Sequence, residues 1–107
     1  MKNIILLCGF LASFSSFALD FEKYCGDLGQ ISTWVQGDDV HNVWIDFNNN
    51  PKNCEGGFYL PHIGNNRDFV YSTILAAKFA KHKICFQTYL TEHNISNRCK
   101  INYVYLM

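Results

Sequence analysis

His41, His62, His82 and His93 supply bases, and Ser32, Ser72, Thr73 and Ser96 supply hydroxyls that a base could activate. Nucleophilic catalysis needs such groups locked close together. None of the serines sits in a G-x-S-x-G elbow, and the sequence has no H-E-x-x-H pair. Gly26-Asp27-Leu28-Gly29 is a glycine-bearing turn rather than a phosphate loop. His41 with Asp38, Asp39 and Asp46 has the donor types of a metal site. Turn chemistry already explains the two adjacent aspartates, however, and a solvated hairpin position explains His41. No catalytic, cofactor-binding or metal-ligating residue is assigned, and the chain reads as a non-enzyme.

Two tryptophans offer a different chemistry. Trp34 and Trp44 fall on consecutive predicted strands, each on the face opposite the aliphatic set, which is Ile31 and Val35 in one strand and Val43, Ile45 and Phe47 in the other. An outward indole stacks on the apolar face of a sugar or anchors a protein partner. Gln36, Asp46 and Asn48 would add hydrogen bonds, so Trp34, Gln36, Trp44, Asp46 and Asn48 form the candidate binding surface. Two other readings compete: the curl of the sheet buries one or both tryptophans, or they lie between protomers.

The elements that must position these groups follow from patterning. Residues 28–36 and 40–48 alternate as strands around the Gly37-Asp38-Asp39 turn, which reads as a hairpin. Residues 48–53 are an asparagine-rich loop, and Phe58-Tyr59-Leu60 is a short strand stopped by Pro61. A helix starts after a cap at Asn65 or Asn66, with Asp68 in the first turn, and runs to about Lys81. Its predicted stripe is Tyr71, Ile74, Leu75 and Lys78, widened by Val70, Ala77 and Phe79. Lys78, Lys81, His82 and Lys83 gather at its end. There a positive charge suits the helix dipole, although such a cluster could also hold a ligand. Strands follow at 83–90 and 99–106, with a polar loop between them. Asn94-Ile95-Ser96 in that loop is a glycosylation acceptor pattern in a eukaryotic host. The expected class is mostly β: an OB-like five-stranded barrel with one α-helix between strands 3 and 4. An α+β sheet with the helix across one face is the alternative.

The first eighteen residues are expected to be removed. Met1-Lys2-Asn3 gives a basic start, residues 4–12 an apolar core, and Ser16-Phe17-Ala18 a small-x-small exit, the layout of a secretory signal. No transmembrane segment is expected once it is gone, and residues 19–107 form one domain, secreted or periplasmic. Cys8 leaves with the signal. Cys25, Cys54, Cys85 and Cys99 remain, and an even count in a small exported chain implies two disulfides. Three pairings are open, and sequence does not choose between them. Cys54 with Cys99 and Cys25 with Cys85 is favoured because alternating strands would bring those segments together. No C-x2-C pair suggests zinc or redox chemistry.

Composition narrows the class further. Of 107 residues, 49% are apolar and 17% charged, which is too apolar for disorder. Nine basic residues balance nine acidic ones, so a nonspecific nucleic-acid binder is not indicated.

Tyr71-Ser72-Thr73-Ile74-Leu75-Ala76-Ala77-Lys78, Lys83-Ile84-Cys85 and the run Cys99 to Leu106, read with the element order, resemble the B subunits of pertussis-like and subtilase-type AB5 toxins. The resemblance covers most of residues 19–107 in layout. The chain is shorter than those subunits and its cysteine spacing differs. The resemblance implies an OB-type fold, a homo-pentameric ring and a glycan ligand. It carries no sugar-contacting residue onto this sequence. A structural or protein-interaction domain of the exported compartment is the alternative function, and a small hydrolase or inhibitor ranks last.

Overall fold

Alternation along the chain turns directly into a sheet. The computed structural model describes residues 21–90 and 96–107. The expected signal segment, His93 and most of the glycosylation pattern lie outside the described residues. Six strands form: β1 (Phe21–Gly26), β2 (Leu28–Thr33), β3 (Val43–Phe47), β4 (Gly57–Leu60), β5 (Ile84–Tyr89) and β6 (Arg98–Leu106). One helix, α1 (Arg67–Ala80), separates β4 from β5, and a single 3-10 turn covers Lys52–Cys54. Among the described residues the chain is therefore mostly β with one helix, in the predicted chain position.

The sheet order is β1-β5-β6-β4-β3-β2. All neighbours are antiparallel except β4 and β6, which run parallel with Phe58 opposite Cys99. The sheet has six strands and is not closed, where five strands in a barrel were expected. The additional strand is β1. Its sequence, Phe-Glu-Lys-Tyr-Cys-Gly, lacks two-residue alternation, because it is an edge strand exposed along most of its length. β1 and β2 are separated only by Asp27, yet they occupy opposite edges of the sheet. The chain changes edge at Gly26, where a Cβ would lie 2.9 Å from the Phe47 ring, so only glycine lets the backbone pass.

The predicted β2–β3 hairpin is present but shorter. Pairing ends at Thr33 opposite Val43, and an irregularity between Leu28 and Ile31 resets the register. Residues 34–42 form a wider connection than a three-residue turn. Its extra length is held by side-chain bonds that no alternation pattern encodes.

Val43, Ile45 and Phe47 point into the core, as the period-two pattern requires. Phe47, Phe58 and Phe86 form its centre, with ring centroids 4.8, 4.9 and 5.1 Å apart. Ile74 and Ala77 bring α1 onto this cluster, flanked by Val70 and Tyr71. The buried stripe is thus turned away from Phe79, which is 84% exposed, and Lys78 is also on the surface. The capping expectation is corrected as well. Asn66 precedes the first turn, but its side chain makes no cap bond. The Arg67 N–H instead donates to the Gly64 carbonyl.

Two disulfides, Cys25–Cys85 and Cys54–Cys99, fasten the sheet, and this is the favoured pairing. Cys25 and Cys85 are direct partners across β1 and β5, with Cα atoms 4.0 Å apart. Cys54 ties the turn before β4 to β6. Gly57, at the start of β4, has φ +100°, and any side chain there would collide with Asp46 and the Ile45 carbonyl.

Candidate functional site

The site grows from the ends of β2 and β3 and the connection between them. Asp38 organises that connection: one carboxylate oxygen accepts the backbone N–H groups of Val40, at 2.8 Å, and His41. The Asp38 N–H donates to the His41 carbonyl at 2.8 Å. Asn42 closes the turn by donating its amide to the carbonyls of Asp38 and Asp39, at 3.1 and 3.4 Å. Asn42 is 3% exposed, and among the described residues its Oδ1 meets no donor.

Three rings gather on this frame. Trp34 meets Trp44 edge-on with centroids 4.6 Å apart, and His41 lies 5.3 Å from Trp34 and 6.1 Å from Trp44. The Trp44 indole N–H donates to the Val40 carbonyl at 2.9 Å, so that side chain is fixed in place. The Arg98 guanidinium, from β6, sits 3.8 Å over the Trp44 ring and reaches Asp46 at 3.3 Å. Asn50 also reaches Asp46. Asp46 is therefore committed to structure, and Trp44 is half-buried beneath Arg98. Trp34 remains 38% exposed.

The structure thus brings together Trp34, Trp44 and Asp46 of the five predicted binding residues. It does not bring Gln36 or Asn48 to them. Gln36 is exposed in the bend after β2. Asn48 follows the far end of β3, where it borders a different cavity beside Lys78 and Lys81.

A cleft of about 420 Å³ opens beside Trp34. Asn42, His62, Arg67 and Tyr71 complete its polar and aromatic wall. Arg67 is positioned by its Nε–H, which donates to the Pro61 carbonyl at 2.7 Å. Sequence reading missed His62, Arg67, Tyr71 and Asn42 as a group. They come from a loop, a helix start and a turn, and only the packing of α1 beside the end of β2 makes them neighbours. A π-face, an amide and a guanidinium around a cleft of this size suit a monosaccharide-sized polar ligand.

Of the groups considered for catalysis, His41 and His62 lie at this site, while Thr73 and His82 are engaged with backbone carbonyls elsewhere. The Thr73 hydroxyl donates to the Phe69 carbonyl at 3.0 Å, and the His82 ring lies 2.7 Å from the Lys83 carbonyl oxygen. Among the described residues no three His, Cys, Asp or Glu side chains are grouped to hold a metal ion. No helix there is long and apolar enough to cross a membrane. No protein-family model, curated protein or solved structure matches this chain.

Asp38 gives the site a pH limit. The His41 N–H, followed by the Val40 N–H, holds its carboxyl below the ordinary value. A depressed carboxyl stabilises the folded turn above its unfolded pKa and loses that contribution as pH falls through the folded one. Tryptophan fluorescence should therefore show an acid transition centred below the ordinary aspartate range. In Asp38→Ala that transition should be absent; an unchanged profile would assign it to another group.

Proposed function

We propose that the chain is an exported, non-catalytic binding protein that takes a sugar unit in the cleft beside Trp34. The observation that carries this reading is the cleft itself, lined by an exposed indole, Tyr71, Arg67 and the buried Asn42 amide, whose Oδ1 meets no donor among the described residues. Both disulfides fit an oxidising compartment, secreted or periplasmic. Counting β1 and β2 as one strand bent at Asp27 reduces the order to five strands with the helix between the third and fourth. That is the OB-type order of the toxin B subunits the sequence resembles. A homo-pentamer follows from the same resemblance, and a ring would give weak single sites useful avidity.

A glycan array with the oxidised protein tests this reading directly. Trp34→Ala should weaken any array signal by at least about tenfold while leaving the circular dichroism spectrum unchanged. Light scattering on a sizing column should give about five protomer masses. A monomer that binds no glycan would remove the proposal.

One observation favours a second reading, a protein-interaction domain. Phe69 and Phe79 stand 76% and 84% exposed on the outer side of α1. A monomer that binds no glycan and retains a protein partner in high salt would put this reading first.

A further inference from the structure

A second cavity, of about 400 Å³, lies at the opposite end of the β2–β3 ladder from Trp34. Lys78, Lys81, His82, Asn48 and Asp27 line it. The usual explanation for cations at a helix end is that they serve the last carbonyls and the dipole. Here the backbone already serves two of those carbonyls. The Lys81 N–H donates to Lys78 and the His82 N–H to Ala77, at 3.3 and 2.9 Å. Lys78 extends its ammonium away from the helix end, to the Leu28 carbonyl at 3.4 Å.

Lys81 carries the second argument. It closes the helix in the left-handed conformation with φ 54°, a place usually taken by glycine. A lysine there is held at a cost to the backbone, and its side chain lines the cavity. Asp27, the carboxylate in the wall, pairs at 3.9 Å with Lys83, outside the lining, which offsets part of its charge. The positive side chains outweigh the half-charge of a helix C-terminus. The lysines of the wall are ammonium point charges, which bind phosphate or sulfate oxygens without demanding a fixed approach.

We infer that this cavity binds a tetrahedral oxyanion group, a sulfate ester or a phosphate monoester. The inference stands independently of what occupies the Trp34 cleft. Calorimetric titration of the oxidised protein with sucrose octasulfate and with inositol hexakisphosphate separates the two sources. Binding is expected at low salt and should weaken as salt screens it. Response to the sulfated probe alone identifies a sulfate ester, and response to the phosphorylated probe alone a phosphate. Lys78→Gln and Lys81→Gly should each weaken binding about fivefold, and Asp27→Asn should strengthen it. Lys81→Gly should also raise Tm by about 4 °C by relieving the left-handed residue, so weaker binding cannot be put down to poorer folding. Failure of both probes to bind at low salt overturns the inference. So does unchanged binding in both lysine variants.

Discussion

Phe58→Ala should destabilise the protein by about 4 kcal/mol, measured by urea unfolding of the oxidised chain. Phe58 is fully buried, on a strand whose four residues are all buried. Its ring meets Phe47, Phe86 and Tyr24, the last at 6.1 Å. Truncation removes transfer energy and leaves a cavity between strands that cannot collapse, because β4 is held on one side by β3 and on the other by β6. Phe69→Ala makes the contrasting control. That ring is largely exposed, and its loss should change stability by less than about 0.5 kcal/mol. Equal effects from the two variants would mean that the three-ring cluster is not the centre of the core.

Replacing both Cys54 and Cys99 by alanine should cost about 4 kcal/mol, a large part of the stability of a domain this small. The bridge spans 45 residues, so its loss releases much chain entropy in the unfolded state. It also lies beside a short ladder, the parallel one. β4 and β6 share only the register pairs Gly57–Arg98, Phe58–Cys99 and Tyr59–Lys100. Hydrogen exchange in this variant should therefore rise first in β4 and the start of β6. The Cys25→Ala/Cys85→Ala pair should lose a comparable amount, with faster exchange confined to β1 and β5. A Cys54/Cys99 variant with an unchanged urea midpoint would show that packing, and not the bridge, holds the parallel pair.

Five of the six strands and the helix were legible from local patterning, β4 among them although both of its faces are buried. β3, β5 and α1 announced themselves because Val43, Ile45 and Phe47, or Ile74 and Ala77, recur at the period of their element. β1 did not, since an exposed edge imposes no alternation on Phe21 to Gly26. The binding surface was legible only in part. Trp34 and Trp44 were found from strand phase, and they do meet. Gln36 and Asn48 were placed with them by extending perfect strands through residues 36 and 48. The actual ladder stops at Thr33 and Phe47, so strand phase no longer fixes where Gln36 and Asn48 lie. Asp46 was read as a free hydrogen-bonding group, but its partner Arg98 lies 52 residues further along the chain. Asn42, His62, Arg67 and Tyr71 form a cleft only through tertiary packing, and no local pattern marks them.

The placement of β1 and β2 on opposite edges has a consequence for how the molecule opens. A sheet normally frays at either rim without disturbing the other. Here the two rims are consecutive in the chain, joined through one residue, so peeling one pulls directly on the other. Asp27 is the hinge of that circuit, and cutting the backbone there would release two independent rims, turning one cooperative opening into two local ones.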